Sequence, residues 1–242
     1  MCTVTFIPVN GRLFITSSRD ENASRSKALI PAAYQQDGVA LLYPKDTVAN
    51  GSWIALNQNG NAAVLLNGAF IKHEPISPYR KSRGLIFLDI IAHPQPKFFF
   101  TAIELDNIEP FTLVLFVNSC LYECRWDGKE KYCKQLDESR HHIWSSATLY
   151  APAIISSRKN WFAKWITETD SPTQETIFNF HCFAGDGDNS NSILMNRGGK
   201  MLTVSITGIE LDNDKGIMQY FDVAEKKTSC TILEFAEQFI QN

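Results

Sequence analysis

The chain has 242 residues, 44% hydrophobic and 12% aromatic, enough for a substantial core in one large domain or two small ones. Its formal net charge of −3 argues against nucleic acid or an anionic membrane as a bulk partner. No apolar run reaches the roughly 18 residues of a membrane span, and no basic, apolar leader precedes residue 2. The expected compartment is therefore the cytoplasm, where the six cysteines should mostly be thiols.

The chain opens Met1-Cys2-Thr3-Val4-Thr5. Removal of Met1 would leave a thiol and a free α-amino group on Cys2, a nucleophile and base on one residue, as in hydrolases that work from an N-terminal Thr or Cys. Residues 2–9 and 12–18 are rich in Thr, Val, Ile and Phe and read as strands. Asn10-Gly11 between them predicts a type I′ hairpin turn, in which facing residue numbers sum to 21. Phe6 then faces Ile15, and Cys2 faces Arg19. Facing residues have Cβ atoms about 5 Å apart, and a guanidinium that close favours thiolate over a thiol whose ordinary pKa is about 8.5. The other reading of the same residues is a frayed first residue and a strand-ending arginine, because one bulge would shift the register.

A long loop is expected at 19–36, rich in Ser, Asn and charge around Arg19–Lys27. Strands are expected near 38–43, 52–57 and 62–67. Residues 82–93 read as a helix with Leu85, Leu88 and Ala92 on one face, and 97–105 as a helix or a strand. Strands follow near 111–117, 120–126, 131–136 and 142–147. Cys120, Tyr122, Cys124 and Trp126 alternate along one of them and should share a face. With Cys133, His141 and His142 they lack the tight Cys-x2-Cys spacing of most zinc sites, so core thiols are the better reading and no metal is expected. His73, His93 and His181 are scattered and carry no ligand spacing.

Residues 153–168 form an amphipathic pattern through Ile154, Trp161, Trp165 and Ile166. Ser171-Pro172-Thr173-Gln174 reads as a capping box starting a further helix to about Phe183. The acidic stretch at 185–189 lacks the spacing and distal Glu of a calcium loop. Strands at 201–210 and 216–223 flank Asp212-Asn213-Asp214, and 231–240 is helical or extended. Strands and helices in this alternation suit a layered α+β domain spanning 1–242.

Ser18-Arg19-Asp20-Glu21, close behind the Met-Cys-Thr start, resembles the NRDE family, also called the transport and Golgi organisation family. That family is named for an Asn-Arg-Asp-Glu tetrapeptide, and Ser18 is the departure here. The family is similar to the N-terminal nucleophile hydrolases, near choloylglycine hydrolase. The resemblance implies a single four-layer αββα sandwich, with Arg19 and Asp20 contacting the Cys2 sulfur. Gly51-Ser52-Trp53 through Leu65-Leu66-Asn67 resembles a second family block. It implies that Asn67 lends its amide to an oxyanion hole, a donor typically worth about 3 kcal/mol; a strand-ending turn residue before Gly68 is the plainer reading. Two further positions depart from the family pattern: Ser146 stands where the family has Asn, shorter than an amide, and Lys200 where it has Arg, without the planar fork.

Two functions are thus expected in competition. One is an amidohydrolase or acyltransferase with Cys2, Arg19, Asp20 and Asn67 as its catalytic set and Ser146 and Lys200 as binding residues, acting on a small-molecule amide or acyl substrate without a cofactor. The other is a non-catalytic carrier of a hydrophobic metabolite or cofactor, in lipid or haem handling, on the same fold. The oligomeric state is not encoded in any pattern above.

Overall fold

The computed structural model describes residues 3–76 and 78–236. In chain order the elements are β1 Thr3–Val9, β2 Arg12–Asn22, β3 Leu29–Gln36, β4 Val39–Lys45, β5 Ile54–Asn57 and β6 Ala62–Asn67. Helices α1 Arg83–Ala92 and α2 Pro96–Ala102 follow. Then come β7 Phe111–Val117, β8 Cys120–Trp126, β9 Lys131–Leu136 and β10 His142–Ser145. Helices α3 Pro152–Thr167 and α4 Gln174–Phe183 lead to β11 Asn196–Arg197, β12 Met201–Leu211, β13 Lys215–Asp222 and β14 Lys227–Glu234.

Two antiparallel sheets result. One has the order β10-β1-β2-β12-β13-β14, with β11 added beside β12; the other is the meander β3 through β9. Strand alternation gives each sheet two apolar faces. The inner faces meet through Val4, Phe6, Leu13 and Ile15 of the first sheet and Leu42, Ile54, Leu56 and Leu66 of the second. The outer face of the first packs Ile7 and Phe14 under Phe162, Ile177 and Phe180 of α3 and α4. The outer face of the second packs Leu41, Leu65 and Leu113 under Ile86, Phe87, Ile90 and Phe100 of α1 and α2. Three apolar seams between four layers define an αββα sandwich. Among the described residues no helix is long and apolar enough to cross a membrane.

The hairpin forms as its turn dictates. Asn10 and Gly11 both have positive φ (50° and 76°), and the pairing runs from Val9–Arg12 through Phe6–Ile15 to Thr3–Ser18. Cys2, and with it the pairing to Arg19, lies outside the described residues. Cys124 and Trp126 are buried in the helix-side core with Tyr122 packed against it, as the alternation requires.

Two expectations are corrected, and an alternative left open is decided for residues 231–234. The loop at 19–36 does not exist as such: β2 continues to Asn22 and β3 begins at Leu29. Residues 13–22 of β2 pair along β12 from Leu211 back to Met201, and that distant partner holds a polar segment extended. The capping box sits two residues later than expected. Thr173 is the N-cap of α4, its hydroxyl accepting from the Thr176 N–H while the Thr176 hydroxyl accepts from the Thr173 N–H. Finally, β14 starts at Lys227 and is extended because it pairs with β13 throughout.

Candidate active site

Arg19 lies on the inner face of β2, two residues beyond Ser17 and four beyond the core residue Ile15. It is 4% exposed, and the apolar inter-sheet core gives way to charge at this end. Its Nη2 donates to Asp46 Oδ2 at 2.7 Å and lies 3.5 Å from Glu21 Oε2, while its guanidinium carbon sits 4.5 Å from the Trp53 ring centroid. Asp46, just after β4, is the hub. Arg25 donates to both its oxygens at 3.0 Å, and the N–H groups of Val48 and Ala49 donate to Oδ1. Burial pushes this carboxyl up. The Arg25 hydrogen bond, the Ala49 N–H and the charges of Arg25 and Arg19 outweigh that and hold it below the ordinary carboxylate value.

These groups wall a cavity of about 460 Å³ that Asn67 also lines. Asn67 ends β6, and its backbone carbonyl accepts from Ser146 Oγ at 2.9 Å. Ser146 is 1% exposed and directly follows β10, whose Ser145 pairs with Thr3. The ends of β1, β6 and β10 therefore converge. The cavity's far wall is the start of α1, where Ser82 caps the helix and Arg83 Nη2 pairs with Glu109 at 3.0 Å. That wall comes close because two glycines touch: a Cβ on Gly51 would lie 2.4 Å from the Gly84 carbonyl carbon.

Two of the expected residues point elsewhere. Asp20 falls on the opposite face of β2, where Tyr150 Oη donates to its Oδ2 at 2.6 Å and the Thr203 hydroxyl donates to Oδ1. A bulge in β12 between Thr203 and Ser205 lies across from the Arg19–Asp20 step. Lys200 is exposed at the turn before β12, its carbonyl accepting from the Ala23 N–H. Cys2 lies outside the described residues.

Asp46, Arg83 and Glu109 carry no signal in the sequence, and Trp53 has only a place in a motif. Arg25 fell only within the charged stretch Arg19–Lys27 expected in a loop, and nothing local pairs residue 46 with residues 19 and 25. His181 carried no more signal than a scattered histidine, and Arg158 carried none. Both are fully buried beneath the hairpin's outer face. The His181 ring bridges Thr5 Oγ1 (3.0 Å) and Ser18 Oγ (2.7 Å). Burial, reinforced by the Arg158 charge, lowers its pKa to about 3, so it is neutral at physiological pH. Arg158 donates to the carbonyls of Asn191 and Ser192 and to the Thr3 hydroxyl, with its guanidinium carbon 3.6 Å from the Tyr150 ring centroid.

The layer order matches known folds. A cysteine-to-alanine mutant of conjugated bile acid hydrolase from Clostridium perfringens superposes with a TM-score of 0.63 at 10% identity, covering 98% of this chain and 97% of that one. A Caenorhabditis elegans ortholog of N-acylethanolamine-hydrolyzing acid amidase gives 0.56 at 10% identity, over 86% and 92%. The fold is that of the N-terminal nucleophile hydrolases. The chain belongs to the Transport and Golgi organisation 2 family, whose model matches residues 1–229. No curated protein sequence matches it.

Proposed function

We propose that the chain is an N-terminal-cysteine hydrolase or acyltransferase acting on a non-peptide carbon–nitrogen bond, with Cys2 freed by removal of Met1. One observation carries this reading: the hairpin register is unbroken to Thr3–Ser18, and its next pair would set Cys2 across from Arg19 at a cavity that Asn67 shares. Family membership and the hydrolase and amidase names of the structural neighbours support it. The Cys2 sulfur attacks the substrate carbonyl, and its α-amino group, of ordinary pKa about 8, takes the thiol proton and passes it to the leaving amine. Arg19 favours the thiolate, Asn67 donates to the oxyanion, and water or an amine releases the acyl group. Asp20 serves by holding the end of β2 through Tyr150 and Thr203, since both its oxygens are engaged there.

Purified protein treated with an electrophilic acyl probe should carry the acyl group on Cys2, and intact mass should show Met1 gone. Cys2→Ala should lower amide turnover by at least ~10³-fold. Retention of Met1, or labelling of other thiols with Cys2 untouched, sinks the proposal.

Two placements favour a second reading, a non-catalytic carrier. The Ser146 hydroxyl donates to the Asn67 carbonyl and contacts Thr148, and Lys200 is exposed to solvent. Cargo binding unchanged by Cys2→Ala, with no turnover by the parent chain, would favour it. The charge of the cavity wall suits a polar head group on such a cargo better than a wholly apolar one.

A further inference from the structure

The outer face of the meander sheet carries a pair of thiols that the cavity chemistry does not use. Cys124 on β8 and Cys133 on β9 oppose each other directly in the antiparallel register. Directly opposed residues have Cα atoms about 4.5–5.5 Å apart, inside the roughly 4.4–6.8 Å span of disulfides, and they share a sheet face. Here the sulfurs lie 3.2 Å apart. The two environments differ. Cys124 is fully buried in the core under α1 and α2, whereas Cys133 is exposed on β9, the outermost strand of its sheet.

We propose that Cys124 and Cys133 form a thiol–disulfide exchange site whose oxidant is a low-molecular-weight disulfide such as glutathione disulfide. Cys133 is the attacking sulfur because it is the one a solute can reach. The Cys124 S–H hydrogen bond draws its pKa down to about 7; burial opposes that, and the Lys97 ammonium of α2 adds to it. The Cys133 thiolate attacks one sulfur of the oxidant, forming a mixed disulfide and expelling the other half as a thiolate. The Cys124 thiol is held protonated by its hydrogen bond to Cys133, by burial and by the neighbouring thiolate charge. Capping Cys133 removes that charge, so Cys124 can lose its proton to the departing thiolate. Its sulfur then attacks Cys133 and displaces the second half of the oxidant. Two protein thiols become one disulfide, and one small disulfide becomes two thiols. The product ties the edge strand β9 to β8 at mid-length. Neither thiol lines the Arg19 cavity, so failure of this proposal and failure of the proposed function are separable.

The test uses the full chain, reduced, freed of reductant and exposed to glutathione disulfide, then quenched with an alkylating reagent for intact mass and peptide mapping. The expected product of the fast phase lacks the Cys124 and Cys133 thiols, holds no glutathione on either and yields a peptide crosslinked through them, and dithiothreitol reverses it. Cys133 should react roughly tenfold faster than the exposed Cys230. Cys133→Ser, an exposed substitution compatible with folding, should abolish the crosslink, and Cys120→Ser should leave it unchanged. Glutathione retained on Cys133 beside an alkylatable Cys124, a bridge from Cys133 to Cys120, or no faster reaction than Cys230 would each overturn the assignment.

Discussion

The two faces of β2 bury an arginine in opposite ways. On the inner face Arg19 meets carboxylates, Asp46 at 2.7 Å and Glu21 at 3.5 Å, and borders a cavity. On the outer face Arg158 is completely buried yet forms no ion pair among the described residues. Backbone carbonyls, the Thr3 hydroxyl and the Tyr150 ring receive it instead. Carbonyls and a ring satisfy a cation in one fixed geometry, which suits a layer that holds the hairpin against α3 and the loop after α4. Shared carboxylates leave charge adjustable beside a space that admits another molecule. One face is built for rigidity, the other lines a cavity.

That contrast can be broken by substitution. Arg158→Ala removes a buried cation and strands two carbonyls, and should cost about 3–5 kcal/mol in a urea unfolding series. A loss below 1 kcal/mol would show that the outer layer does not depend on it. Arg19→Ala should do the reverse. Asp46 keeps both Arg25 hydrogen bonds, so stability changes little while turnover of an acyl-amide probe falls about 10²-fold, equivalent to ~2.7 kcal/mol of barrier. Equal losses of stability in the two variants would erase the distinction between faces.

Acid sharpens the comparison next. His181 falls from 6.5 in the unfolded chain to about 3 when folded, so below pH 6.5 the unfolded state binds the extra proton. The stability from neutral His181 is complete above pH 6.5 and drains as pH falls toward 3, at up to about 1.4 kcal/mol per pH unit. Asp46 is also depressed, from 3.8, so its contribution is lost only below that value. The outer face should therefore loosen before the inner one, and unfolding of His181→Gln measured from pH 7 to 4 should be flatter than that of the parent. A parallel pH slope would remove His181 as the cause. The smallest effect is expected of Tyr150→Phe, which takes one hydrogen bond from buried Asp20 and should cost about 1–2 kcal/mol by thermal unfolding.

Much of the secondary structure is legible because its causes are local. Asn10-Gly11 fixes both the hairpin turn and the pairing of every described residue in it. The bounds of β7, β8 and β9 follow from short apolar or alternating runs between turn residues, and α1 from its apolar stripe, although its buried arc takes in Ile86, Phe87, Ile90 and Ile91 beside Leu88 and Ala92 and leaves Leu85 half-buried. The errors fall where a distant partner decides. Arg19 to Asn22 reads as loop because its strand partner is β12, about 180 residues later. The candidate site divides the same way. Arg19 and Asn67 were visible in motifs and do share a cavity, whereas Asp46 earned no notice, being one acid after a strand until Arg19 and Arg25 fold onto it.

The sequence alone determined the hairpin, the alternation that gives each sheet two apolar faces, and the family to which the chain belongs, because turn chemistry, side-chain period and motif are all short-range. Only the tertiary structure decided that Arg19 and Asp20, neighbours in the chain, work on opposite sides of one strand in different company. Adjacent residues of a strand point apart, and what each then meets is set by elements far along the chain.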